Sequence, residues 1–296
     1  MVTMLMLTML VVVVAEFELV QNAIFTDPDD QSAWLYHRWL LGRAEQAESV
    51  SCLYVSQSLQ LALVVFTRPI NVLKDEQEEV VLCVDGKPAL GSWVTPDRRN
   101  RHSLVWLCLL QDALRGGESV RVHWGDRPPK ECVLGQGGGE SWIRDEVSEV
   151  GGAALGAGLS PELDSALLQE QLHSCTELLQ MEPRNKWCLL VLVLLMRALD
   201  PLSCQRQCLG HLDTLAGVDP GRCCYYRDAR SRLLLANAVL TVEYADTRVL
   251  ALPGRALSSL FHLEQLVLVT HLNLSNNSLH CLPRTLSCLQ SLQVVS

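Results

Sequence analysis

The chain has 296 residues, of which 49% are apolar and 19% charged, with a formal net charge of −9 and a pI near 5.4. That apolar content excludes a disordered chain, and the length admits two or three domains with cores of their own. The acidic balance excludes a nucleic-acid binder, because Arg98, Arg99 and Arg101 make a short basic cluster and not the stripe that a phosphate backbone requires.

Residues 1–15, MVTMLMLTMLVVVVA, form the most apolar run, and Glu16 and Glu18 follow at once. The run lacks the basic start and small-x-small cleavage site of a secretory signal, and it falls short of the roughly 20 apolar residues of a membrane span. It reads first as a spurious or alternatively spliced leader, with a membrane or targeting element or a buried core helix as alternatives, and no stable membrane span is expected. From Glu16 to Phe25, apolar residues at 17, 20 and 24 predict a helix that turns at Asp27-Pro28. Asp27 is the expected cap and Pro28 the first residue of the next helix, where its missing N–H costs nothing. On that helix Trp34 and His37 share a face, Leu40 and Leu41 extend it, and Gly42 can stop it. The rings of Trp34, Tyr36 and Trp39 are expected in the core of a hairpin spanning 16–48.

After Glu48 the apolar period becomes two. Leu59, Leu61 and Leu63 alternate with Ser58, Gln60 and Ala62, and the Val80 to Val84 run precedes the hairpin signal Asp85-Gly86. Further strand-like runs are Leu104 to Leu110, Val120 to Trp124, Cys132 to Leu134 and Trp142-Ile143. Five or six short strands predict an inserted antiparallel β-sandwich over 49–150. The glycine-rich stretches at 135–139 and 151–158 lack the pattern of a phosphate loop.

Helical periodicity resumes over 151–245. Ser160-Pro161 predicts one start, Glu182-Pro183 with Trp187 a second, and Asp200-Pro201 and Asp219-Pro220 two more, the last continuing to about Tyr244. Aligning Asp27-Pro28 with Asp219-Pro220 places Trp34 on Tyr226 and Arg38 on Arg230, while Pro183 and Trp187 make a shortened copy. Such echoes predict an α-solenoid of stacked hairpins. In the last segment, 246–296, Val269 to Leu279 fits L-x-x-L-x-L-x-x-N-x-L, with Leu272, Leu274 and Leu279 inward and Asn277 bonding backbone in the turn. Leu286, Leu289, Leu292 and Val294 repeat Leu266, Val269, Leu272 and Leu274 at a spacing of 20, and the leucine-rich segment is cut short at Ser296.

The twelve cysteines sit mostly inside apolar runs, and no C-x-x-C occurs. They read as reduced, buried small hydrophobes of an intracellular chain. Neither Cys204 with Cys208 nor Cys223-Cys224 has the paired ligands of a zinc site. His37, His173, His211 and His271 are isolated; Asp29-Asp30, Asp213, Asp219 and Asp228 suit caps and helix ends; Ser275 lacks an elbow motif. No catalytic residue and no metal ligand is assigned.

Trp34 to Leu41, Thr95 to Arg98 in the β insert, Pro183 to Cys188, Leu195 to Pro201 and Leu263 to Leu266 with the leucine-rich pattern together resemble the α subunits of the Rab geranylgeranyltransferase family, the type II protein prenyltransferases. The order of helical repeat, β insert, helical repeat and leucine-rich segment strengthens the resemblance, which covers residues 16–296; the related farnesyltransferase α subunits carry the helical repeats alone. It implies a multidomain fold, an α-α solenoid with an inserted Ig-like β-sandwich and a C-terminal leucine-rich segment, incomplete at both ends relative to the family. It also implies a cytoplasmic heterodimer. The partner β subunit would hold the zinc and the geranylgeranyl diphosphate, and the Rab escort protein would present the Rab GTPase whose C-terminal cysteines are modified. Pro28, Trp34, Tyr36, Arg38 and Trp39 match the family's repeat and are assigned to hairpin packing, as are Pro183, Trp187, Pro220, Tyr226 and Arg230, with Arg38 free to bond a neighbouring hairpin. The alternative is a non-enzymatic interaction module of helical and leucine-rich repeats.

Overall fold

The computed structural model describes residues 2–42, 48–73, 79–137, 139–144, 165–241 and 248–296. The chain forms two compact units, Met1–Glu45 with Leu155–Asn237 and Leu257–Ser259 in one, and Gln46–Ala154 with Ala238–Ala256 and Leu260–Ser296 in the other.

The first unit is helical. Helix α1 runs unbroken over Val2–Thr26, so no structural break separates the apolar leader from the helix predicted at Glu16. The sequence explains this, because no Gly or Pro interrupts residues 1–26. Asp27 still donates its N–H to Ala23 O and so completes the last turn of α1; its carboxylate accepts from Asp29 N. The cap of α2 (Gln31–Leu40) is therefore Asp30, which accepts from Ser32 N, and the predicted start at Asp27-Pro28 is displaced by three residues. Gly42, at φ +66°, ends the hairpin as expected.

Helices α3 (Ser165–Met181), α4 (Lys186–Leu199), α5 (Gln205–Val218) and α6 (Cys223–Thr241) follow, α6 entered through a 3₁₀ turn over Pro220–Arg222. The start predicted at Ser160-Pro161 and the end predicted at Tyr244 lie outside the described residues. Asp200-Pro201 makes a turn and not a helix start. Asp200 accepts from Ser203 N there, and α5 opens four residues later. Phe17, Val20 and Ile24 of α1, Trp34 of α2, Leu189, Leu192 and Leu195 of α4, Leu212 and Leu215 of α5, and Tyr226 and Leu233 of α6 share one core. Among the described residues no helix is long and apolar enough to cross a membrane.

Among its described residues the second unit holds nine antiparallel strands where five or six were expected. They are β1 (Val50–Ser56), β2 (Leu61–Ile70), β3 (Val80–Val84), β4 (Lys87–Pro88), β5 (Gly91–Val94), β6 (Ser103–Leu110), β7 (Ser119–Trp124), β8 (Lys130–Val133) and β9 (Glu140–Arg144). They form two sheets, ordered β5-β6-β2-β1-β9 and β4-β3-β7-β8. Leu53, Val64, Phe66 and Trp106 of the first and Leu82, Val120, Val122 and Trp124 of the second share one core. On β2 the face toward that core carries Ala62, Val64 and Phe66, the reverse of the predicted alternation, and Leu61, Leu63 and Val65 on the other face are buried as well. A strand covered on both faces reads as a continuous apolar run, and this defeats a period-two reading. Asp85 and Gly86, both at positive φ, make the predicted hairpin turn between β3 and β4.

Beyond α6, β10 (Val249–Ala251), β11 (His271–Asn273) and β12 (Val294–Val295) form a parallel sheet, with 3₁₀ turns over Leu263–Leu266 and Arg284–Cys288 between them. Val249 faces His271 and His271 faces Val294, so the steps are 22 and 23 residues and not the predicted 20. The register places Leu272 opposite Leu250 and Val295, and Leu272 and Leu274 are buried while Leu279 is half-buried. Asn277 Nδ2 donates to Leu252 O and Leu274 O, each at 2.8 Å, and its Oδ1 accepts from Arg255 N at 3.0 Å. Asn277→Ala strands these backbone groups and is expected to cost about 2 kcal/mol. Hydrogen exchange of the β10 and β11 amides measures it, and unchanged protection would show that the leucines alone hold the turn.

None of the twelve cysteines, all of which are among the described residues, is in a disulfide. Burial pushes Cys108, Cys132 and Cys208 up to about 11 and Cys288 to about 12, so these thiols stay protonated and pack as small hydrophobes.

Candidate interaction surface

The α1–α2 hairpin is built around the Pro28 carbonyl. Trp34 Nε1 donates to it at 2.8 Å from within the hairpin, and Asn185 Nδ2 donates to it at 2.7 Å from the start of α4. Asn185 also caps α4, its Oδ1 accepting from Cys188 N at 2.9 Å. One asparagine therefore stops a helix end from fraying and ties that helix to the preceding turn. The pattern recurs farther along, where Asn237 Nδ2 donates to Pro201 O at 2.7 Å. Tyr226 is buried like Trp34, and its hydroxyl reaches back to Asp219 at 3.1 Å, which holds the ring over its own turn. Arg230 pairs with Asp213 of α5 at 3.3 Å, whereas Arg38 at the matching position is exposed. Trp187 is half-buried, with Lys186 over its ring. Asn185 and Asn237 were not assigned from sequence, although a lone Asn in an apolar run such as Leu233 to Val239 is a signal for such a tie.

On α2 the expected aromatic core divides. Trp34 is 2% exposed, whereas Leu35, Tyr36 and Trp39 are 56%, 39% and 70% exposed. Placing Tyr36 and Trp39 in the hairpin core is therefore wrong: a helix turns about 100° per residue, and Trp34 with His37 takes the inward face. Tyr36 and Trp39 stack on each other, centroids 5.6 Å apart and planes 12° apart. Tyr36 donates its hydroxyl to Glu16 at 2.8 Å, and that bond, ahead of burial, raises its pKa. The result is a rigid apolar patch on the surface, of the kind that marks a contact site.

Inside the hairpin, His37 is buried and its Nε2 lies 2.9 Å from Gln171 Oε1, which also accepts from Gln21 Nε2. The shared acceptor makes Nε2 the protonated nitrogen and leaves Nδ1 without a partner among the described residues. Burial lowers the His37 pKa from its usual 6.5, against the opposing effect of the Gln171 bond. The unfolded chain then takes up the proton first, so the His37 contribution to stability is full above about pH 6.5 and falls below it until the folded pKa is passed. Urea midpoints at about pH 7.5 and 5.5 are expected to differ less in His37→Gln than in the parent, and an equal loss in both would place the acid sensitivity elsewhere.

The other candidate groups are dispersed. His173 pairs with Glu177 on an exposed helix face, burial lowers the His211 pKa, and His271 contacts Thr270. Asp228 accepts from Ser258 and Ser259, and Ser275 bonds Asn273. Among the described residues no three His, Cys, Asp or Glu side chains converge as metal ligands.

Residues 50–147 match the family model "Rab geranylgeranyl transferase alpha-subunit, insert domain", and residues 13–44 match "Protein prenyltransferase alpha subunit repeat". The chain is 49% identical over 290 residues to human geranylgeranyl transferase type-2 subunit alpha, and 48% identical over 289 residues to the mouse protein, in each case over 96% of this chain and 50% of the relative. It is 24% identical over 342 residues to subunit alpha 1 of Arabidopsis thaliana, covering 90% of this chain and 50% of that relative. The chain thus spans about half the length of the curated relatives that it matches along nearly its whole extent. With near-half identity over 290 residues and both family models matched within that stretch, the chain is similar to Rab geranylgeranyl transferase alpha subunits along almost all of its own length.

Proposed function

We propose that the chain serves as the α subunit of a type II protein geranylgeranyltransferase, a non-zinc-binding scaffold joined to a β subunit. The observation that carries this reading is 49% identity along 96% of the chain, with the insert-domain match inside it. The enzyme would move geranylgeranyl from its diphosphate to C-terminal cysteines of Rab GTPases brought by the Rab escort protein, in the cytoplasm. The described residues of this chain offer no zinc set, so no step is assigned to a metal here. In the reading, zinc sits on the β subunit and lowers the pKa of the attacking thiol.

What this chain contributes is shape and contact. In this reading residues 16–48 and 151–245 belong to prenyltransferase helical hairpins, 49–150 to an Ig-like β-sandwich insert and 246–296 to leucine-rich repeats, with residues 1–15 an apolar leader. The Trp34, Tyr226 and Asn185 ties fix the hairpins, and the exposed Leu35, Tyr36 and Trp39 face the β subunit.

Co-expression with a mammalian-type β subunit, size-exclusion, and transfer of labelled geranylgeranyl to Rab with escort protein supplied test the reading. A heterodimer that labels Rab is expected. Failure to form any complex with the β subunit would overturn it for this chain.

A further inference from the structure

Strand β5 closes one side of the five-stranded sheet, with β6 as its neighbour and, among the described residues, no strand beyond it. Gln111 N donates to Leu90 O, and the register sets Ser92 against Leu109 and Val94 against Leu107. Antiparallel bonding alternates, so Leu90, Ser92 and Val94 direct their backbone groups to β6, and the N–H and C=O of Gly91 and Trp93 point away from the sheet. These outward groups have no hydrogen-bond partner among the described residues. The same strand runs directly into a basic loop over 95–102.

Asp97 locks that loop. Its carboxylate accepts from Arg99 N and Asn100 N, each at 3.1 Å, from Asn100 Nδ2 at 2.6 Å and from Thr95 Oγ1 at 3.0 Å, and these bonds, led by that from Arg99 N, hold it below the usual carboxylate range. Arg98 sits at φ +54° in the turn. Arg98, Arg99 and Arg101 are exposed, and none forms an ion pair with another described residue. Three free guanidinium groups thus stand on a fixed loop at the end of an open sheet edge, in a chain whose net charge is −9.

We propose that β5 and the loop through Arg98, Arg99 and Arg101 form a docking surface for an extended acidic segment of a partner protein. The segment adds to the sheet beside β5 and sets its carboxylates against the three arginines. The open edge decides the class of partner: alternating N–H and C=O groups match a peptide backbone, and neither a lipid headgroup nor a nucleic-acid phosphate offers that ladder. The arginines decide its charge, and the acidic remainder of the chain turns such a segment away from other faces. The proposal does not depend on the prenyltransferase reading.

The test titrates the full chain into a fluorescein-labelled short peptide of alternating glutamate and valine and follows anisotropy. Saturable binding is expected, with none for the lysine-valine counterpart. Changing Arg98→Glu, Arg99→Glu and Arg101→Glu together is expected to weaken binding at least tenfold, roughly, with an unchanged circular-dichroism melt. A fully N-methylated glutamate-valine peptide, which keeps the charge and leaves the protein unaltered, is expected not to bind. The proposal is overturned if the parent peptide does not bind, or if either the triple variant or the N-methylated peptide binds as well as its parent. Co-sedimentation with phosphatidylserine vesicles through the same arginines, without peptide binding, overturns it too.

Discussion

Replacing Trp34 by alanine is expected to destabilise the helical unit by about 4 kcal/mol, the scale for emptying a buried tryptophan site. The ring is 2% exposed, meets His37 edge-on at a centroid distance of 6.1 Å, and donates to Pro28 O at 2.8 Å. Its removal leaves a cavity beside Ile24 and Phe25 of α1 and Cys175 and Leu178 of α3, and leaves Pro28 O with Asn185 as its remaining side-chain donor. Trp34→Phe retains most of the volume and loses the hydrogen bond, so a smaller loss of about 1–2 kcal/mol is expected. Because a chain of two units need not unfold in one step, the readout is native-state hydrogen exchange of amides in α2 and α4. A loss below about 1 kcal/mol in Trp34→Ala would mean that the site collapses around the smaller side chain.

Trp39 lies on the same helix and is expected to behave oppositely. It is 70% exposed, and its packing partner is the stacked Tyr36 ring. Trp39→Ala should change stability by less than about 0.5 kcal/mol. Under the proposed function it removes a rigid aromatic anchor from the β-facing patch, and a loss of about 2 kcal/mol, near thirtyfold in dissociation constant, is expected. Isothermal titration of the β subunit into parent and variant reads this directly. Unchanged affinity with unchanged stability would remove this face of α2 from the interface. Tyr36→Phe serves as a finer probe, since it deletes the Glu16 bond and keeps the stacked ring.

The two tryptophans show what could be read in the chain and what could not. Both fit the repeat signature, and both were expected in the core. Their separation by five residues on a 3.6-residue helix puts them on different faces, but sequence does not say which face meets a neighbour. The packing of α2 against α1 and α4 settles it in favour of Trp34. The same limit appears in β2, whose two buried faces hid the register, and in the leucine-rich segment. There a period of 20 fitted the leucines, while the ladder steps by 22 and 23 residues because strand pairing and not leucine spacing sets the repeat. The Asp-Pro turns were found, yet Asp30 and Asn185 are the caps. Several Asp, Asn and Ser residues competed for each helix end, and only the local backbone path selects among them.

By itself the sequence determined that helical stretches flank a run of short antiparallel strands, and the bonding role of Asn277, because periodicity and turn chemistry are local. Tertiary structure alone decided which aromatic rings are core and which are surface, where each helix is capped, how the described strands divide between the sheets, and that, among the described residues, the edge of β5 stands open beside three exposed arginines. These depend on which elements meet, and contact between residues distant in the chain is written in no single stretch of it.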